Sequence, residues 1–197
     1  MREEFEGLNV PDFDARGRVS DEYLVIMKKL WTQQWASHDG EFLQFSDVAA
    51  DPKPLQKPHP PIWVGGESAA ALRRTVALGD GWYPFGTNPK FRMDSVDAFV
   101  ARRDTLWRLA ERAGRDPAGI SITYSCAQHS EVARLDPSGR RVLGTGNADE
   151  RAADFTALEA AGVTNIMVNL AAAELTQTLD RVEAFATDVM APLGARA

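Results

Sequence analysis

A single cysteine, Cys126, stands among 197 residues, so an intrachain disulfide is excluded and a reducing compartment is expected. Histidine is nearly as scarce. His38, His59 and His129 have no metal-ligand spacing and no partner cysteines, and no metal is expected. Basic residues number 22 against 28 acidic ones, a net charge of −6. That balance cannot neutralise a phosphate backbone in bulk, so nucleic acid is not an expected partner. The pairs Arg73-Arg74, Arg102-Arg103 and Arg140-Arg141 read as solvated surface. No run approaches the roughly 18 consecutive apolar residues of a membrane span. The opening MREEFEGLNV lacks the apolar segment of a signal peptide, and the expected location is cytoplasmic. What remains is globular composition, 44% hydrophobic and 25% charged, at a length that suits one domain with a sizeable core.

That domain, 1–197, reads in two parts, 1–60 and 61–197. In the first, Tyr23, Leu24, Met27, Leu30 and Trp31 recur at helical spacing and predict a helix over 21–35, with Ser20 as its N-cap. Residues 40–48 have no clean period of two and are expected to form an irregular excursion with one short strand. Pro52, Pro54, Pro58, Pro60 and Pro61 then exclude helix and favour an extended run.

From residue 61 the pattern is regular. Strands are predicted over 62–64, 81–84, 120–126 and 164–170, and helices over 68–78, 95–113, 148–161 and 175–190. Gly79, Gly114 and Gly162 sit just past three of those helices, where a left-handed residue is wanted. Residues 142–147 fit a strand or a loop equally. Four alternations of strand and helix argue for a parallel sheet with right-handed crossovers. Four βα units are half of an eight-stranded barrel, whose usual length is ~250 residues. A small open α/β sheet and part of a barrel both fit, and pattern alone does not choose.

The segment with most chemical content runs through Ile62-Trp63-Val64, Gly65-Gly66 and Glu67-Ser68 into a helix. Strand, glycine pair, helix aims backbone N–H groups and the positive end of a helix dipole at an anion, usually a phosphate. Glycine lets the backbone approach closely and tolerates positive φ. Ser68 either caps the helix or offers its hydroxyl to the anion. A carboxylate beside a phosphate is repulsive, so the Glu67 side chain is expected to point away while its N–H contributes. The purely structural alternative is a tight βα turn with an ordinary cap. Trp63 reads as core, whereas Trp82, near the end of the next strand, is expected to line a pocket, since barrel sites gather at that end.

Other motifs read as structure. Gly144-Thr-Gly146-Asn-Ala-Asp149 lacks the third glycine of a dinucleotide fingerprint, and Asn147 is expected to cap a helix. No Gly-Lys-Ser/Thr phosphate loop occurs. His59 reads as a loop residue and Cys126 as a buried structural thiol. No acid/base pair stands out at strand ends, which disfavours a sugar-phosphate isomerase.

Several stretches together resemble the luciferase-like monooxygenase family of flavin- and deazaflavin-dependent oxidoreductases, built on a (β/α)8 TIM barrel. REEFEGLNVPDFDARGRVSDEYLVIMKKLWT resembles the helix after the fourth barrel strand. GEFLQFSDVAADPKPLQKPHPPIWVGG resembles the excursion into the fifth strand, ALRRTVALGDGWYP the fifth helix and sixth strand, and GVTNIMVN the eighth strand. The resemblance implies an α/β partial barrel: about four C-terminal βα units after a helix and an irregular excursion. It implies a cofactor, FMN or a deazaflavin coenzyme, and a small-molecule substrate. Gly65, Gly66, Glu67 and Ser68 match the loop that holds the cofactor phosphate, with Trp82 beside it. Strands one to four are absent, so no catalytic residue carries over. The implied function is a truncated oxidoreductase or monooxygenase that keeps the phosphate-binding end and is inactive alone. The competing reading is a non-enzymatic half-barrel, a remnant or phosphate-binding module. Its open parallel edges predict a homo-oligomer.

Overall fold

The Phe13 ring lies under the guanidinium groups of Arg2 and Arg16, at 4.9 and 4.0 Å, and meets Phe5 edge-on at 5.3 Å between centroids. In this computed structural model, which describes residues 2–8, 13–86, 88–127 and 129–194, those rings organise the first helices, α1 (Arg2–Gly7) and α2 (Arg16–Thr32). A 3₁₀ turn, Phe13–Ala15, feeds α2 directly, so the helix starts ahead of the predicted residue 21. Ser20 is therefore not its cap: it lies inside the helix and donates its hydroxyl to the Arg16 carbonyl at 2.8 Å. At the other end Gln33 is extended, which stops α2 at Thr32 rather than at 35.

The excursion is more ordered than its sequence suggests. Strands β1 (Ala36–Asp39) and β2 (Gln44–Val48) form an antiparallel hairpin in which His38 faces Phe45. Its turn is held from α2 by the Glu22 carboxylate, which accepts from the backbone N–H groups of Glu41 (3.0 Å), Phe42 (3.1 Å) and Leu43 (2.9 Å). Burial pushes the Glu22 carboxyl up, but these N–H groups together with His38 hold it below its ordinary value. The chain divides into two compact units, Met1–Ile62 with Ala77–Gly79 and Trp63–Val76 with Asp80–Ala197.

The second unit carries the parallel sheet. Strands β3 (Trp63–Gly65), β4 (Gly81–Tyr83), β5 (Ser121–Cys126) and β6 (Asn165–Val168) lie in sequence order, each parallel to the next. They alternate with α3 (Ala69–Leu78), α4 (Val96–Arg112), α5 (Ala148–Ala160) and α6 (Leu175–Phe185). Helix α6 gives way to a π turn, Ala186–Met190, instead of continuing unbroken to 190. Asn147 caps α5 as expected, in a reciprocal capping box with Glu150. Gly114 and Gly162 take the left-handed conformation past α4 and α5, whereas Gly79 does not. Residues 142–147 form a loop tied to its surroundings by an isolated bridge of Ser130 with Thr145, and a second bridge, Leu135 with Arg141, lies just before it.

Strand alternation divides the two faces of the sheet. Trp82, Ile122, Tyr124 and Cys126 pack with Leu72, Phe99, Leu106, Phe155 and Leu158 from the helices. Trp82 stacks on Phe99 at 6.0 Å, and Phe99 meets Tyr124 edge-on at 5.7 Å. On the opposite face the register aligns Trp63 with Gly81 and Ser121, and Ser125 with Met167. A Cβ at Gly81 would lie 2.4 Å from both Ser121 Oγ and Trp63 Cδ1, so the bare glycine makes room for the Trp63 ring. Trp63, expected in the core, is 46% exposed on this face.

Candidate functional site

The turn between β3 and α3 is built by its neighbour β4. Gly66 has φ +100°, a conformation that glycine adopts without a side-chain clash, and it redirects the chain at the C-terminal end of β3. Its N–H donates to the Tyr83 carbonyl at 3.3 Å, and its carbonyl accepts from the Trp82 indole N–H at 2.9 Å. Both polar groups of Gly66 are thus committed to β4. Ser68 caps α3: its hydroxyl accepts from the Ala71 N–H at 3.1 Å, and its carbonyl from the Leu72 N–H at 3.0 Å.

The backbone N–H groups of Ser68, Ala69 and Ala70 have no acceptor among the described residues, and all three residues are exposed. They form the positive end of a ten-residue helix. The Glu67 side chain turns inward, as expected, and is 2% exposed. One carboxylate oxygen accepts from the Phe85 N–H at 2.5 Å and the other from the Asn88 amide at 2.7 Å. Behind the turn, Arg102 donates to the Glu67 carbonyl and lies over the Phe91 ring at 4.4 Å. Burial lowers the Arg102 pKa, and the Glu67 carboxylate opposes that shift.

The structure brings Gly65, Gly66, Glu67 and Ser68 together as one turn, with Trp82 on the adjacent parallel strand. Trp82 itself corrects the sequence reading: it is fully buried and lines no open surface, because its indole is spent on the Gly66 carbonyl and on Phe99. Arg102, read from the sequence as solvated surface, is instead half-buried against this turn, and the two contacts of the Glu67 carboxylate escaped the sequence altogether. Their partners lie 18 to 35 residues away, and only the sheet order brings them together.

A model of the family described as luciferase-like monooxygenase matches residues 1–161. The chain belongs to the luciferase-like monooxygenase family. Among curated relatives, the FMNH(2)-dependent dimethylsulfone monooxygenase of Pseudomonas putida is 34% identical over 122 residues, covering 52% of this chain and 34% of that protein. The monooxygenase RslO1 from Streptomyces bottropensis superposes with TM-score 0.71 at 18% identity, over 96% of this chain and 65% of that one. An F420-dependent secondary alcohol dehydrogenase superposes with TM-score 0.63 at 13% identity, over 92% and 63% of the two chains. This luciferase-like chain spans about a third of the first relative's length and about two thirds of the solved neighbours. The four-stranded parallel sheet is accordingly a partial TIM barrel. Among the described residues, no helix is long and apolar enough to cross a membrane.

Proposed function

We propose that this chain supplies the cofactor-phosphate end of a flavin- or deazaflavin-dependent oxidoreductase or monooxygenase. The observation that carries the reading is the row of exposed, unpartnered N–H groups at Ser68, Ala69 and Ala70, opening α3 directly after the Gly65-Gly66 turn. A phosphate fits those donors on three counts. Their dipole is positive, the neighbouring Glu67 carboxylate is turned away and already hydrogen-bonded, and the Arg102 cation lies behind the turn. Family membership and an FMNH(2)-dependent relative support FMN, and an F420-dependent structural neighbour supports the deazaflavin.

When bound, such a cofactor supplies hydride or oxygen chemistry, while the protein's part is to hold and orient it. The α3 N–H groups hold the phosphate, Gly66 aims them, and Trp82 and Tyr83 fix Gly66. The substrate is a small molecule. Because hydrogen bonds to charged groups contribute ~1.5–3 kcal/mol each and association costs ~4–15 kcal/mol, a few N–H groups give weak affinity. The test is titration of the purified chain with FMN and with the deazaflavin coenzyme, read by fluorescence and by the amide resonances of Ser68, Ala69 and Ala70. Millimolar, saturable binding that Gly66→Val weakens is expected, with no oxidoreductase turnover by this chain alone. Amide resonances that stay unmoved through the titration would overturn the reading.

A further inference from the structure

Beyond β5 and β6, away from the Gly65–Ser68 turn, lies a cavity of about 240 Å³ lined in part by His129, Ser130, Glu131, Asn169 and Arg181. Beneath it is Arg151, a residue only 6% exposed. A buried cation is normally matched by a carboxylate, because losing hydration without compensation costs several kcal/mol. Arg151 has no such match among the described residues. Its Nη1 donates to His129 Nε2 at 2.8 Å, and its Nε donates to the Asn147 carbonyl at 3.4 Å.

The His129 contact fixes a tautomer. Guanidinium has no acceptor and stays protonated, so Nε2 of His129 must accept and the ring's single proton sits on Nδ1. Burial, then the Arg151 charge and that of Arg181, hold the imidazole pKa down against the opposing pull of Glu131. Phe185 meets the ring edge-on at 5.3 Å and keeps it in place.

Arg181, on α6, provides a second cation at the cavity wall. It is exposed, its Nη1 donates to the Ala171 carbonyl at 2.9 Å, and no carboxylate pairs with it among the described residues. Asn169 uses its carbonyl oxygen on the Ala171 N–H at 3.0 Å, which leaves its amide N–H groups as donors. Glu131, at the wall, is the one acidic side chain lining the cavity. Two guanidinium charges against one carboxylate leave the cavity electropositive. Its remaining polar equipment, the His129 Nδ1–H, the Ser130 hydroxyl and the Asn169 amide, is made of groups able to donate.

We propose that this cavity binds the acid group of a small organic acid, a carboxylate or sulfonate, through Arg181 and His129 with Arg151 as the buried countercharge. The anion site stands on these residues alone. Its assignment as the place where the substrate's acid group docks rests on the oxidoreductase function proposed above.

The experiment is an NMR titration of the full chain with acetate and with methanesulfonate, with inorganic phosphate and FMN as comparison anions. Only three histidines contribute imidazole signals, and His129→Gln assigns the relevant one. The expected result is a saturable shift of the His129 ring with acetate or methanesulfonate, and at least a tenfold loss of affinity in Arg181→Met. Arg181 is exposed, so that variant should fold. Should it not, Asn169→Ala and the wild-type titration still decide. A linear, unsaturating response, or one unchanged in Arg181→Met, overturns the proposal. A His129 shift seen only with FMN, and lost in Gly66→Val, also overturns it by assigning the anion to the cofactor. Failure of the phosphate turn alone reads differently, as unmoved Ser68–Ala70 amides with the His129 response intact.

Discussion

The Trp82 indole N–H donates to the Gly66 carbonyl at 2.9 Å, so a fully buried ring holds the orientation of a half-buried glycine. Core packing and the proposed phosphate cradle are therefore coupled. In Trp82→Phe the Gly66 carbonyl loses its donor and the core loses volume. A half-buried carbonyl left without its donor costs up to ~1–3 kcal/mol, with the cavity adding to it. We expect a loss of about 2–3 kcal/mol in urea unfolding together with weaker FMN binding. A stability loss that leaves FMN affinity unchanged would show that the turn is held by other contacts.

Glu67 separates stability from binding. Its carboxylate accepts from the Phe85 N–H and the Asn88 amide, and a glutamine there can satisfy only one of the two donors with its oxygen. Glu67→Gln should lower the urea midpoint by the equivalent of about 2 kcal/mol at unchanged denaturant dependence. FMN affinity should fall less than in Gly66→Val, since the side chain faces inward. The opposite order of effects would place the carboxylate at the ligand.

Cys126 predicts a pH dependence. Burial, with a smaller contribution from Asp154, pushes its thiol up to about 12. The unfolded thiol ionises near pH 8.5. Between those limits the unfolded chain loses a proton that the native chain keeps, so stability falls as pH rises. The slope approaches about 1.4 kcal/mol per pH unit for one proton. Buried Tyr124, whose hydroxyl is also pushed up, adds to the loss from about pH 10. Urea titrations from pH 8 to 11 should show this decline, and Cys126→Ala should flatten its lower part. An identical profile in that variant would refute the assignment.

From residue 61 onward the elements were legible because each segment keeps its own period, two or 3.6, and is punctuated by a cap or a glycine. The Asn147 box is the clearest case, since both of its partners lie within one turn. The hairpin of β1 and β2 was not legible because Glu22, on the preceding helix, organises it from about twenty residues away. Likewise nothing local announces that Arg151 approaches His129 across 22 residues, or that Arg181 joins the same cavity. The choice of barrel over open sheet lay in the family resemblance, since strand order and curvature leave no periodic trace. Trp63 and Trp82 were read the wrong way round, because alternation says that two residues face oppositely but not which face is covered.

That last point has a physical consequence. The sheet face opposite the helices presents Trp63 at 46%, Phe85 at 40% and Met167 at 51% exposure. Tyr83 lies among them, its ring 4.7 Å from Phe85 and its hydroxyl 2.7 Å from the Met167 sulfur. Parallel sheets are ordinarily covered on both faces. Among the described residues β3 and β6 each pair on one side only, and unpaired edges invite further pairing. We predict that the isolated chain self-associates through this face into a dimer or larger species, and that Phe85→Lys with Met167→Lys shifts it toward monomer. Light scattering at tens of micromolar, with an apolar-surface dye as a second probe, reads the outcome. A monodisperse wild-type monomer with little dye binding would mean that the side chains cover this face themselves.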